Sequence, residues 1–332
     1  MRIGIDAMGG DSPVDVRVGG TMAAREFLAE GDRIVLVGDQ NRIREALGAV
    51  DGWESFVDIQ HASQAIGMDE PPVESLRNRP DSSIAVMMGM HRQGELDACI
   101  SAGNTGAFVA AGQMMLRRLK GVHRPGIAIL TPTFHGPVAV CDVGANVACR
   151  AQHLHQYGLM STVYVQVLCG IEAPRVGLLS VGAEEGKGND LVRSTLELMK
   201  NDPMIRFVGP VEGRDLFGGV CDVLVCDGFV GNVVLKLMEG MAEGVIRGML
   251  GELALSMPEQ GPAIKKAAMG MMAKYDFNEY GGAPLLGVSG ICIICHGASN
   301  ERGIANAVRV AKESAKHGIN EQITELLSQD RT

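Results

Sequence analysis

Short runs of consecutive apolar residues recur along this chain, each closed by a glycine-rich turn and followed by a segment whose apolar positions return at helical spacing. Residues 2–6, 33–38, 97–101, 138–142, 175–180 and 222–227 read as strands, and 290–295 reads as a further buried one. Residues 12–29, 40–49, 82–93, 105–119, 152–169, 190–200 and 299–316 read as helices. Strands that alternate with helices need crossover connections, so the expected fold class is α/β, three-layered, with a largely parallel sheet covered by helices on both faces. The near-continuous apolar strand Val223-Leu224-Val225-Cys226 fits burial on both faces.

The alternation breaks between residues 233 and 276, where Leu237, Met238, Met241, Val245, Met249 and Leu253 recur at helical spacing. Pro258, Gly261 and Pro262 interrupt, and a second helix is expected over 263–275. This predicts a helical hairpin projecting from a single α/β unit that spans residues 1–332. In its second helix Ile264, Ala268, Met271 and Met272 form an apolar stripe beside Lys265, Lys266 and Lys274. Two uses compete for such a stripe: packing in a homodimer, and peripheral contact with a membrane surface.

Composition narrows the function classes. The net charge is −9 over 332 residues, which argues against a nucleic-acid partner, because a phosphate backbone demands a basic face. A local basic cluster exists, with Arg117, Arg118, Lys120 and Arg124 within eight residues. The start Met1-Arg2-Ile3-Gly4-Ile5-Asp6 reads as a strand rather than an export signal, so the expected location is cytoplasmic, with the eight cysteines as thiols. Cys292-Ile293-Ile294-Cys295-His296 matches a haem-attachment pattern, but it lies in an apolar run where the two cysteines would point to opposite faces of a strand. No metal and no cofactor is expected.

The candidate chemistry sits in five loops rich in glycine and small polar residues: Asp6-Ala7-Met8-Gly9-Gly10-Asp11; Ser101-Ala102-Gly103-Asn104-Thr105-Gly106; Asp142-Val143-Gly144-Ala145-Asn146; residues 182–190, which carry Lys187 and Asn189; and Asp227-Gly228-Phe229-Val230-Gly231-Asn232. Each follows an expected strand, and ligands of parallel sheets bind beyond the carboxyl ends of strands. A helix N-terminus with glycine beside it offers backbone N–H donors and the positive end of a dipole to an anion. Such loops are also ordinary tight turns, in which Asn146, Asn189 and Asn232 would serve as helix caps. The nucleotide-binding P-loop, the dinucleotide fingerprint and the hydrolase serine elbow do not occur.

These loops, together with Glu279-Tyr280-Gly281-Gly282-Ala283-Pro284-Leu285-Leu286-Gly287 and Cys295-His296-Gly297-Ala298-Ser299-Asn300, resemble in order those of the phosphate acyltransferase family PlsX. Two positions depart from the family's habit: Ala148 stands where aspartate is frequent, and Val230 where threonine is. The resemblance implies a fold related to phosphotransacetylases and isocitrate-type dehydrogenases, a homodimer, and transfer of a fatty acyl group from acyl carrier protein to inorganic phosphate. It implies that Lys187 and Asn232 act at the reacting centre. Ser101, Gly103, Asn104, Thr105 and Gly106 are the expected phosphate site. Asp6, Gly9, Gly10, Asp11, Asn146, Asn189, Asp227 and His296 complete the site loops, His296 either as a donor or as a plain strand-end residue. The competing readings are a transferase acting on acyl-coenzyme A, a metal-dependent dehydrogenase with Asp142, Asp222 and Asp227 as ligands, and a non-catalytic scaffold at the membrane surface.

Overall fold

The computed structural model describes residues 1–48, 50–184, 186–257, 260–274 and 277–329. In chain order the first half contains β1 (Arg2–Asp6), α1 (Val14–Ala23), β2 (Arg33–Gly38), α2 (Gln40–Leu47), β3 (Val57–His61), α3 (Pro72–Asn78), α4 (Ser83–Arg92), β4 (Ala98–Ser101), α5 (Thr105–Ala111), β5 (Gly126–Thr133) and β6 (Gly136–Cys141). The second contains α6 (Ala151–Cys169), β7 (Arg175–Ser180), α7 (Asp190–Asn201), β8 (Arg206–Glu212), β9 (Val223–Val225), α8 (Gly228–Ser256), α9 (Gly261–Lys274), β10 (Ala283–Leu286), β11 (Ile291–Ile294), α10 (Glu301–Lys316) and α11 (Ile319–Gln329). Ala49 and Tyr275, the expected ends of two helices, lie outside the described residues, as does Glu185 in the Lys187 loop.

Among the described residues the strands join into one 11-stranded sheet in the order β3-β2-β1-β4-β11-β10-β5-β6-β9-β7-β8. The strands on the β3 side of β10 are mutually parallel, as are those from β6 to β8. Between them β10 pairs antiparallel with both β11 and β5, and β5 pairs antiparallel with β6. Three successive reversals make the two parallel halves run in opposite directions. The expectation of a largely parallel sheet with helices on both faces is therefore met, whereas the expectation that all five loops share one carboxyl edge is not.

Alternation along each strand separates the cores. Ile34, Leu36, Ile100, Ile293 and Cys295 pack under α1, α2 and α10, while Val35, Val37, Cys99, Cys292 and Ile294 pack under α3, α4 and α5. The two cysteines of the haem-like motif thus lie on opposite faces, each a buried thiol. In the other half α6, α7 and α11 cover one face, and the start of α8, through Leu235 and Met238, covers the other.

Four strands escape the sequence pattern for physical reasons. β3 and β8 are the two edges of the sheet, half exposed, and so lack a continuous apolar run. β5 and β10 belong to tight antiparallel connections without an intervening helix, which an alternating strand–helix reading passes over.

α8 and α9 pack on each other. Along α8 the stripe Leu237, Met241, Val245 and Met249 is exposed, between 43% and 61%. On α9 Ala268 is buried and Ile264 half-buried, so these two members of the expected stripe are its packed side, while Met269 and Met271 are exposed. The side chains of Met272 and Lys274 lie outside the described residues. Among the described residues no helix is long and apolar enough to cross a membrane.

One histidine braces the segment before β4 against the start of β11. His91 Nδ1 donates to the Leu96 carbonyl at 2.7 Å, and Nε2 accepts from the Ile291 backbone N–H at 3.1 Å, an arrangement that requires the neutral ring. Burial pushes the His91 imidazole below its ordinary value of 6.5. The unfolded chain therefore takes up this proton first, and the stabilisation is complete above pH 6.5 and is lost as pH falls through that value towards the lowered folded one. Denaturant unfolding of the wild type and of His91→Gln should differ most near neutrality and converge on acidification. Parallel pH profiles would show that His91 is not the linked group.

Candidate functional site

The β1 and β4 loops are locked together before any ligand is considered. Asp6 is buried and accepts from the backbone N–H of Met8 and Gly9, each at 3.1 Å, and from the Ser101 hydroxyl at 2.7 Å. Ser101 Oγ in turn accepts from the Gly103 N–H at 3.0 Å. A Cβ on Gly9 would come within 2.7 Å of the Gly103 backbone, so where the two backbones cross only glycine fits. The buried Arg17 guanidinium donates to the carbonyls of Gly9 and Pro13. Burial pulls it below its ordinary value, against the nearby carboxylates of Asp6 and Asp11. The Asp11 N–H bonds the Gly297 carbonyl at 3.0 Å, which ties the loop after β11 to the same block.

Asn104 caps α5, its Oδ1 accepting from Ala107 N–H at 2.9 Å, and its Nδ2 donates to the carbonyls of Gly67, Met68 and Glu70 at 2.9–3.1 Å. The side chains of Ser101 and Asn104 are thus committed to building the loop. Of the five residues of the expected phosphate site, Thr105 and Gly106, at the first turn of α5, line the groove described below.

On the other side of the sheet, Asp142 is fully buried after β6. Its carboxylate accepts from the N–H groups of Ile127, Gly144, Ala145 and Asn146 at 2.8–3.1 Å and from Asn146 Nδ2 at 3.2 Å. Burial pushes its carboxyl above the ordinary carboxylate value, and these donors oppose that rise. Asn146 also donates to the Pro125 carbonyl at 2.6 Å and to the Tyr157 hydroxyl at 2.8 Å, so it is a brace and not a helix cap. Asp227 caps α8, accepting from Phe229 and Val230 N–H at 3.0 and 3.1 Å. The stretch from Gly228 to Asn232 is consequently helix rather than loop, and Asn232 sits in its first turns. Asn189 alone of the three asparagines does cap, accepting from Val192 N–H at 2.9 Å at the start of α7. Lys187 is exposed on the loop after β7, on the same sheet edge as the Asp142 and Asp227 loops, and is not among the residues that line the groove.

Between the two blocks runs a groove of about 490 Å³ whose floor is the central strands, through Ile127, Ile129, Ala283 and Ile294. One wall carries Asp11, Thr105, Gly106 and His296; the other carries Gly144 and, on α8, Asn232, Leu235, Lys236 and Glu239. Opposing loops thus reach one face although their strands run in opposite directions. His296 Nδ1 accepts from Ala298 N–H at 3.2 Å. Burial pushes the Glu239 carboxyl up, and His296 and Lys236 draw it down. Lys236 and Glu239 were not anticipated. Their signal was available, since 232, 235, 236 and 239 share one helical face, but the apolar stripe of the same helix is the louder pattern.

A larger hollow of about 970 Å³ lies elsewhere, lined by residues such as Asp97, Lys120, Ser289 and Glu321; none of the five loops reaches it. Among the described residues no group of three or more His, Cys, Asp or Glu side chains could hold a metal ion.

A phosphotransacetylase from Streptococcus pyogenes superposes with a TM-score of 0.64 at 16% identity, over 96% of this chain and 94% of that one. A branched-chain phosphotransacylase from Enterococcus faecalis gives 0.59 at 13% identity, over 95% and 99%. The fold is therefore of the phosphotransacetylase class. A family model described as "Fatty acid synthesis protein" matches residues 1–322. The phosphate acyltransferase of Geotalea uraniireducens is 45% identical over 99% of this chain and 95% of its own length, and that of Nitratidesulfovibrio vulgaris is 46% identical over 98% and 94%. The chain belongs to the phosphate acyltransferase family, PlsX.

Within the second wall α8 rests on the Asp142 loop: Gly228 N–H donates to the Asn146 carbonyl at 2.9 Å, and a Cβ on Gly231 would overlap the Asp142 carbonyl oxygen. Gly231→Ala should therefore lower stability by about 1–3 kcal/mol, the usual cost of overpacking, and should misplace Asn232. A thermal unfolding midpoint equal to wild type would show that the joint yields at no cost.

Proposed function

We propose that this protein transfers a long-chain fatty acyl group from acyl carrier protein to inorganic phosphate, yielding an acyl phosphate for phospholipid synthesis. The observation that carries the reading is the groove itself, in which the N-terminal turn of α5 faces Asn232 across an apolar floor. Thr105 and Gly106 present backbone N–H groups, and Thr105 a hydroxyl, at the positive end of the helix dipole, which suits a phosphate dianion. A phosphate oxygen attacks the thioester carbonyl carbon; the new C–O bond forms as the C–S bond breaks, and the carrier leaves as a thiol with the proton the phosphate brought. On this reading Asn232, which lines the groove, donates a carboxamide N–H to the developing oxyanion, and a preorganised donor of this kind contributes about 3–4 kcal/mol. Holding nucleophile and thioester together supplies a further share, roughly 7–11 kcal/mol in favourable intramolecular cases.

Lys187 is assigned to the reacting centre on the strength of the family resemblance and of its place on the sheet edge that also carries the Asp142 and Asp227 loops. The carrier is acidic, so the exposed cluster Arg117, Arg118, Lys120 and Arg124 is the natural docking patch on an otherwise acidic protein. The exposed stripe of α8 is the candidate homodimer face, since large apolar patches on a soluble surface mark contacts. The exposed methionines of α9 are the candidate membrane contact.

The deciding experiment is product analysis with palmitoyl-carrier protein and phosphate, run beside palmitoyl-coenzyme A. Acyl phosphate from the carrier thioester is expected; acyl phosphate from the coenzyme A thioester alone would assign the donor differently, and none from either would overturn the reading. Asn232→Ala and Lys187→Ala should each lower kcat at least ~10²-fold in a folded protein, the scale of one lost transition-state donor. A near-normal rate in either variant would remove that residue from the mechanism. Thr105→Val should raise the KM for phosphate while leaving that for the thioester in place. The reverse pattern would move the α5 turn to the acyl donor.

A further inference from the structure

Asn232, Lys236 and Glu239 fall on successive turns of one face of α8, and all three line the groove. Among the described lining residues Lys236 is the lysine or arginine, and Asp11 and Glu239 are the carboxylates. Asp11 lies beside the buried Arg17, which supplies it with a counter-charge from behind the wall. Glu239 has its counter-charge inside the groove, from Lys236 one turn away. A phosphate dianion bound at the α5 turn brings two negative charges into this space, and a helix terminus offers only about half a positive charge against them. The flexible four-carbon stem of a lysine can turn its ammonium from a neighbouring carboxylate to a bound anion.

Resting on the acyl-transfer reading above, we infer that Lys236 is the side chain that binds phosphate in the groove, and that Glu239 sets the phosphate affinity by competing for the same ammonium. The i, i+4 spacing then stacks the bound phosphate beside Asn232, so that the nucleophile lies next to the donor that receives the oxyanion. The division of labour is testable because the two neighbours act with opposite sign. Loss of Lys236 removes the attraction; loss of the Glu239 charge removes the competitor.

The experiment measures phosphate binding by titration calorimetry without thioester, and the phosphate and thioester KM values at steady state. Lys236→Met should weaken phosphate at least about 10-fold in both Kd and KM, the scale of one charge-assisted hydrogen bond, with the thioester KM held. Lys236→Arg should restore most of it. Glu239→Gln should tighten phosphate about 3-fold or more, and both effects should shrink as salt screens the charges. A merely structural role would move both variants in the same direction and lower the unfolding temperature. Unchanged phosphate affinity in folded Lys236→Met, or weakening in both variants, overturns the inference. The binding arm separates this failure from failure of the functional reading: a wild type that binds phosphate through Lys236 yet makes no acyl phosphate overturns the reaction and leaves the site standing.

Discussion

The groove depends on one buried carboxylate. Asp142 gathers N–H donors from the first residues of β5 and from the turn after β6, and the first turn of α8 rests on that turn through Gly228 and Gly231. Five charge-assisted bonds at one fully buried group make the turn rigid, because each would leave a desolvated charge behind if broken. Asn232 is carried by α8 and positioned through this joint. The opposite wall has a matching device: Asp6 binds the backbone of its own loop and the hydroxyl of Ser101, and glycine meets glycine where the loops cross. Two strand-end aspartates, one in each half of the sheet, thus hold the walls of a cleft floored by the central strands β11, β10 and β5.

That floor explains how a sheet with opposed halves can build one site. In a wholly parallel sheet the loops would meet at a common edge. Here three antiparallel pairings intervene, and the loops meet instead over the face of the central strands. The polar lining of the groove is accordingly split between the first turn of α5 and side chains on α8, which lie in different halves of the chain.

Several polar residues of the candidate site loops also build the loops themselves, and the reason is general. Serine, asparagine and aspartate after a strand are chosen both for caps and turns and for ligands. Only the bonds they make in three dimensions separate the uses. Ser101, Asn104, Asp6, Asn146, Asn189 and Asp227 bond backbone or neighbouring side chains, whereas Thr105 and Asn232 line the groove.

The sequence by itself determined the α/β class, the parallel interior strands, most helices and the family, because these rest on local periodicity, on burial from both faces and on ordered motifs. It also determined that Cys292 and Cys295 are core thiols, since period-two alternation sends them to opposite faces. Tertiary structure alone decided the reversal between the two halves, because strand direction in a mixed sheet follows from which strands pair, and not from their composition. It decided too that α8 begins at Gly228, which turns a supposed loop into a helix and brings Asn232, Lys236 and Glu239 onto one wall. That placement is a matter of close approach between backbones far apart in the chain, and a single sequence carries no measure of such distances.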